Sequence, residues 1–170
     1  MTTVVCDGEF IASDSQQNCD FVIPFSTTCK FKGDPNGARG QIVAAAGLAD
    51  WCDAFSAWVI GTRKARPMHA DGDNGVAAVF DGVGWQRYAC DTKLSHSMAN
   101  KWAIGSGAPY ANTALVLGHD AITAVYAAIQ LDPYSGGPIF YASLNELLTQ
   151  GNAAIKTMTH EQAKERSRAG

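Results

Sequence analysis

Apolar positions along this chain follow two rhythms, a short alternating or continuous one and a helical one, and the changes between them mark out its elements. Thr3–Cys6 and Phe10–Ser13 are short apolar runs separated by Asp7, Gly8 and Glu9, an Asp-Gly hairpin signal. Pairing of these two strands would leave Asp14 just beyond the second strand, beside the start of the first. Residues 20–24 read as a third short strand, and the Gly, Asp, Pro and Asn cluster at 33–37 reads as a turn. Residues 41–46 form a compact apolar strand that closes at Gly47. From residue 48 to 63 the rhythm changes: Leu48, Trp51, Cys52, Phe55 and Val59 recur near helical spacing, which predicts an amphipathic helix. Residues 66–74 read as loop. Val76–Phe80 and Trp85–Ala89 form a second predicted hairpin, and residues 102–104 lead into Gly105, Ser106 and Gly107. Helices are predicted at 110–117 and 120–131, divided by Gly118 and His119. The run at 132–137 breaks the second of them, residues 138–143 give a last strand, and the chain from Asn145 onward reads as an increasingly charged helix that frays at its end. Strands, then a helix pair, then strands again fit an α+β layered domain better than a βαβ repeat.

Composition narrows the function. At 170 residues and 46% hydrophobic, the chain suits one well-buried domain. We expect that domain to span residues 2–150, followed by a helical, partly frayed tail at 151–170. A net charge of −3 with scattered Lys and Arg leaves no basic stripe, so nucleic acid is not an expected partner. No apolar run approaches the length that spans a bilayer, and no charged-then-apolar signal opens the chain. A cytoplasmic protein without a membrane partner is therefore expected. Five cysteines, an odd number with no Cys-x-x-Cys pair, argue against both a disulfide framework and a zinc knuckle. The four histidines share no ligand spacing, so neither a metal nor another cofactor is called for.

The chemistry of the N-terminus is more specific. Thr2 is small enough for an aminopeptidase to remove Met1, which would leave a hydroxyl and a free α-amine on one residue. The amine can then act as the base for its own nucleophile. Along the chain stand Thr-Thr-Val-Val at 2–5, Ala-Ser-Asp-Ser-Gln at 12–16, Thr-Thr-Cys-Lys-Phe-Lys at 27–32 and Val-Ala-Ala-Ala-Gly at 43–47. Ile-Gly-Ser-Gly-Ala-Pro-Tyr-Ala at 104–111 and Leu-Asp-Pro-Tyr-Ser-Gly-Gly at 131–137 follow. In this order they resemble the β-type subunits of the proteasome and the related bacterial HslV-type peptidases, both N-terminal nucleophile hydrolases. The resemblance covers residues 2–137, and the Asp-Pro-Tyr-Ser-Gly-Gly run sides with the proteasomal β type.

The resemblance implies a four-layer αββα sandwich with Thr2 at one sheet end, facing a cleft. Thr2 takes the nucleophile position. Asp14 takes that of the acidic residue orienting a lysine, whose ammonium lowers the pKa of the threonine hydroxyl. Lys30 is preferred for that lysine over Lys32. Gly47 matches the glycine whose backbone N–H forms the oxyanion hole, a donor worth about 3 kcal/mol in the transition state. Ser106 matches the serine that bonds the threonine amine, supported by Asp132 and Ser135. Gln17, Thr28, Ala45 and Ala49 fall where the family lines its primary specificity pocket, and a small Ala45 implies cleavage after apolar residues.

The implied function is a threonine-type endopeptidase acting on peptides or unfolded protein, within a self-compartmentalising homo-oligomer and with a possible ATP-dependent unfoldase. Only Met1 precedes Thr2, so no autocleavage step is expected. The chain departs from the family between its first helix and the following hairpin: residues 64–74 are too short and too rich in Pro, Gly and Asp for the family's second long helix, so a shortened outer helix layer is expected. A small-amide hydrolase using the same nucleophile and a non-catalytic structural subunit are the alternatives.

Overall fold

The computed structural model describes residues 2–16, 28–68 and 75–169. Strands β1 (Thr3–Cys6) and β2 (Phe10–Ser13) form the expected hairpin, with Val4 opposite Ser13 and Cys6 opposite Ile11. Asp7 fixes its turn, because one carboxylate oxygen accepts from the backbone N–H groups of Glu9 and Phe10 at 2.8 and 2.7 Å. Strands β3 (Phe31–Gly33) and β4 (Ile42–Ala46) precede helix α1 (Ala49–Ile60), which Gly61 ends in the left-handed region at φ 94°. The hairpin β5 (Val76–Phe80) and β6 (Trp85–Ala89) leads to β7 (Ser95–Met98) and β8 (Trp102–Gly105). Helices α2 (Ala108–Val116) and α3 (Ala121–Leu131), strand β9 (Ile139–Ser143), helix α4 (Leu144–Gln150), strand β10 (Lys156–Met158) and helix α5 (His160–Ala169) complete the order.

The strands make two five-stranded antiparallel sheets, ordered β10-β9-β2-β1-β8 and β3-β4-β5-β6-β7. Three apolar clusters explain why the inner strands read as unbroken apolar runs. Strand alternation sends Val4, Cys6 and Ile11 of the first sheet toward Ile42, Ala44, Ala46 and Ala78 of the second. The same alternation sends Val5 and Ala12 the other way, onto Ile122, Val125 and Ala128 of α3 and Ala111 of α2. In the second sheet Val43, Ala45, Ala77 and Val79 meet Trp51, Phe55 and Val59 of α1. A strand buried on both faces leaves no polar side to alternate with. Each fully buried Val, Ile or Phe here contributes about 1.5–3 kcal/mol.

Several elements differ from expectation. No strand was expected at residues 31–33, yet β3 pairs there with β4 at the sheet edge, and the Asn152 side chain accepts from the Gly33 N–H at 2.9 Å. Three residues held by a partner from far along the chain leave no local signal. Beyond Asn145 the expected continuous, fraying helix gives way to α4, a 3-10 turn at Gly151–Ala154, β10 and α5. Lys156 and Thr157 are exposed, so β10 carries no apolar run, yet it pairs with β9. Helix α5 buries Ala163 beside α3, while Arg166 reaches Asp120 at 2.7 Å. The strand expected at 20–24 lies outside the described residues. Among those described, α1 is the helix that covers the outer face of the second sheet.

Candidate active site

Strand register assembles the site. Thr3 lies opposite Gly105, so Thr2 meets the end of β8, where the Ser106 N–H donates to the Thr2 carbonyl at 2.9 Å. Gly105 is required there on two counts: its φ is 99°, and a Cβ would stand 1.8 Å from the Thr2 carbonyl oxygen. On the other side of β1, the hairpin returns Asp14, whose N–H donates to the Thr3 carbonyl at 3.1 Å. Its carboxylate then collects four donors. Oδ1 accepts from the Thr2 hydroxyl at 2.5 Å and from the Thr3 N–H at 2.8 Å, and Oδ2 accepts from the N–H groups of Gly136 and Gln16 at 3.1 and 3.2 Å. The shortest of these lies in the range of a charge-assisted O–H···O bond. Asp14 is fully buried, and that desolvation pushes its carboxyl above the usual range against the opposing hydrogen bonds and the Lys30 charge.

Lys30 enters from the edge of β3. Its N–H donates to the Ser13 hydroxyl at 3.4 Å, and its carbonyl accepts from the Ala45 N–H at 3.1 Å. Burial lowers the pKa of its ammonium, with Asp14 the foremost opposing charge. The Lys30 ammonium thus acts on Asp14 through space, while the Thr2 hydroxyl touches the carboxylate directly. Lys32 faces elsewhere, with its ammonium 3.4 Å from Asp53 on an exposed surface. The thiols of Cys29 and Cys52 are each pushed up to about 11 by burial, which keeps them protonated at neutral pH.

A second network supports the same strand. The carboxylate Oδ2 of Asp132 accepts from the hydroxyls of both Ser106 and Ser135 at 2.7 Å, and its Oδ1 accepts from the Tyr134 N–H at 3.1 Å. Because the Ser135 proton goes to Asp132, the 2.7 Å contact between Thr3 and Ser135 has the Thr3 hydroxyl as donor. Gly107 makes room for it, since a Cβ there would lie 2.1 Å from Thr3 Oγ1. The structure therefore brings Thr2, Asp14, Lys30, Ser106, Asp132 and Ser135 around one end of β1. Thr3 was missed; the signal available was that a second hydroxyl directly follows the nucleophile candidate.

Thr2 opens on a cleft of about 550 Å³ that Gly47, at φ 136°, and Ser106 also line. Ala46, Val76 and Ala89 form a cross-strand row of small side chains along it, and Arg87, Cys90 and Asp91 stand on the same wall. Sequence reading missed that wall, although alternation from the buried Trp85 places Arg87 and Ala89 on its face. The specificity positions fare differently. Ala45 points away from the cleft into the cluster beneath α1, because its neighbour Ala46 takes the inward face. Thr28 and Ala49 are exposed and do not line this cleft, and Gln17 lies outside the described residues. Among the described residues no three His, Cys, Asp or Glu side chains are placed to hold a metal ion, and no helix is long and apolar enough to cross a membrane.

The fold has solved counterparts. Thiobacillus denitrificans BPH superposes on this chain with a TM-score of 0.60 at 18% identity, covering 85% of this chain and 97% of its own. The same protein in complex with epoxomicin gives 0.62 at 19% identity, over 85% and 98%. At such identity the likeness is one of fold: a mixed α/β architecture with two antiparallel sheets and five helices. No family model matches the chain, and no curated protein matches its sequence.

Proposed function

We propose that this chain is a threonine-type peptidase of the N-terminal nucleophile hydrolase kind, its sheets and helices forming that superfamily's four-layer αββα sandwich. The observation that carries the reading is the setting of Thr2: its hydroxyl donates to buried Asp14, its carbonyl is held by Ser106, and both lie at a cleft also lined by Gly47. Proteasome-like character is supported by the fold shared with a protein that has been solved with epoxomicin.

Chemistry begins once Met1 is removed, because until then the Thr2 nitrogen is a peptide nitrogen with no basic lone pair. The freed α-amine takes the Thr2 hydroxyl proton as Oγ1 attacks a substrate carbonyl carbon. Asp14 and Lys30 set the field around that proton. The carbonyl oxygen becomes an oxyanion facing the Gly47 N–H, a donor worth about 3 kcal/mol. Collapse breaks the C–N bond, and the departing amine carries away the proton held by the Thr2 amine. Water then attacks the resulting ester, releasing the carboxylic acid and restoring the hydroxyl. The Ser106–Asp132–Ser135–Thr3 network positions the strand end that bears the nucleophile. Peptides or unfolded segments of protein are the substrates proposed.

The test uses epoxomicin on chain freed of Met1, read by intact mass and by mapping of the adduct. One adduct at Thr2, absent from Thr2→Ala, supports the reading. A processed, folded chain that stays unmodified at saturating reagent overturns it.

A further inference from the structure

The cleft wall that faces Thr2 is held from behind by one side chain. Arg66 lies on the segment following α1, half-buried, and its guanidinium points at the chain just after β6. Nη1 donates to the Lys93 carbonyl at 2.9 Å, and Nη2 donates to the carbonyls of Ala89 and Thr92 at 3.0 and 2.8 Å. The same group lies 4.9 Å from the Tyr88 ring centroid, 5.7 Å from that of Phe55 and 5.8 Å from that of Trp58. Those rings also contact one another: Phe55 stands 5.3 Å from Trp58 and 5.4 Å from Tyr88. A planar cation with in-plane donors suits this place, stacking on aromatic faces while its edge collects carbonyls.

The pinned segment is the cleft wall itself. Ala89, Cys90 and Asp91 line the cleft with Thr2. Cys90 is joined to Gly75, another lining residue, by its N–H to the Gly75 carbonyl at 2.9 Å and by the Gly75 N–H to its sulfur at 3.2 Å. Three carbonyls within five residues converge on one guanidinium, so its loss would release all three together. We propose that Arg66 is a positioning residue for substrate: it ties residues 89–93 to the aromatic face of α1 and so fixes the shape of the cleft opposite the nucleophile. This rests on the cleft being the substrate site. Arg66 touches no reacting atom, so its removal should weaken binding and spare chemistry.

The experiment compares wild type, Arg66→Met and Arg66→Lys in two ways. In the first, iodoacetamide labelling is followed by peptide mapping of each thiol. Cys90 is buried by the wall, whereas Cys6 is fully buried between the sheets and reports global opening. Arg66→Met should speed Cys90 alkylation about tenfold, with Cys6 unchanged. In the second, the rate of epoxomicin addition to Thr2 is measured against concentration. The half-saturating concentration should rise about tenfold in Arg66→Met while the limiting rate stays within about twofold. Arg66→Lys, which keeps the charge but lacks the planar fork, should restore part of both effects. Unchanged Cys90 reactivity, or equal acceleration of Cys90 and Cys6, overturns the proposal, as does a lower limiting rate at constant half-saturation. If wild type fails to react at Thr2, the peptidase reading falls, and the two thiols still decide whether Arg66 holds the wall.

Discussion

Replacing Gly105 with alanine should both strain the chain and push directly on the proposed nucleophile, and two other glycines separate those effects. At φ 99° an alanine costs about 1–2 kcal/mol in backbone strain. Its Cβ would also fall 1.8 Å from the Thr2 carbonyl oxygen, a backbone atom with no rotamer through which to escape. Relief requires opening the Ser106 N–H bond to that carbonyl, a further loss of about 1–3 kcal/mol for groups buried in the site. Gly118 has φ 92° and open space around its missing Cβ, so Gly118→Ala measures strain alone. It closes α2 with paired bonds, its own N–H to Leu115 and that of His119 to Ala114, the arrangement that favours glycine in the left-handed region. Gly84 has neither a positive φ nor a neighbour within 4 Å, and Gly84→Ala should lie within about 0.5 kcal/mol of wild type or slightly above it. Urea unfolding of the three variants should rank Gly84→Ala, Gly118→Ala and Gly105→Ala in order of increasing loss, with Gly105→Ala about 2–5 kcal/mol down. Epoxomicin mapping should show addition at Thr2 surviving in the first two and falling in the third. A Gly105→Ala protein as stable as Gly118→Ala, with Thr2 still fully reactive, would refute the close approach of β8 to the nucleophile.

The buried charges give two further tests. Burial holds the Asp14 carboxyl above its unfolded value, so its contribution to stability is full in acid and is lost as pH rises through the raised folded value. Asn at this position has no proton to lose; compared by urea unfolding between about pH 4 and pH 7, Asp14→Asn should gain on wild type as pH rises. The opposite slope would mean that the four hydrogen bonds to the carboxylate outweigh its desolvation. Asp132→Asn keeps an acceptor for the Tyr134 N–H but turns an amide toward the hydroxyls of Ser106 and Ser135, at a cost of about 1–2 kcal/mol. Epoxomicin addition should slow at least in proportion, since Thr3 and Ser106 hold the nucleophile's strand; unaltered stability and rate together would show that the network supports nothing.

Which parts of this molecule could be read from its sequence depended on whether burial or pairing defined them. Strands β1, β2, β4 and β5 are covered on both faces, so their apolar runs announced them, and α1 and α3 showed helical spacing because one face of each meets a sheet. The edge strands β7 and β10 are largely exposed and owe their form to a neighbour, so neither Ser95–Met98 nor Lys156–Met158 carried an apolar signal; β3, three residues long, buries Phe31 but is too short to show a pattern. The same division runs through the candidate site. Asp14 could be placed beside Thr2 because hairpin geometry returns it there whatever else the chain does, whereas Ser106, at the end of β8, was placed by the family resemblance alone. Side-chain direction was another matter. Ala45 and Ala46 are identical in sequence, yet the pleat sends one under α1 and the other into the cleft, and only the register against Val76 and Ala77 says which. Arg66 shows the limit most sharply: an arginine close to Arg63 and Lys64 at the start of a Pro- and Gly-containing stretch reads as solvated loop, whereas its three carbonyl partners and the Tyr88 ring are supplied by a segment that becomes its neighbour only after folding. A side chain placed by position along the chain therefore depends on the strand's parity, and a shift of one residue exchanges the α1 side for the cleft side.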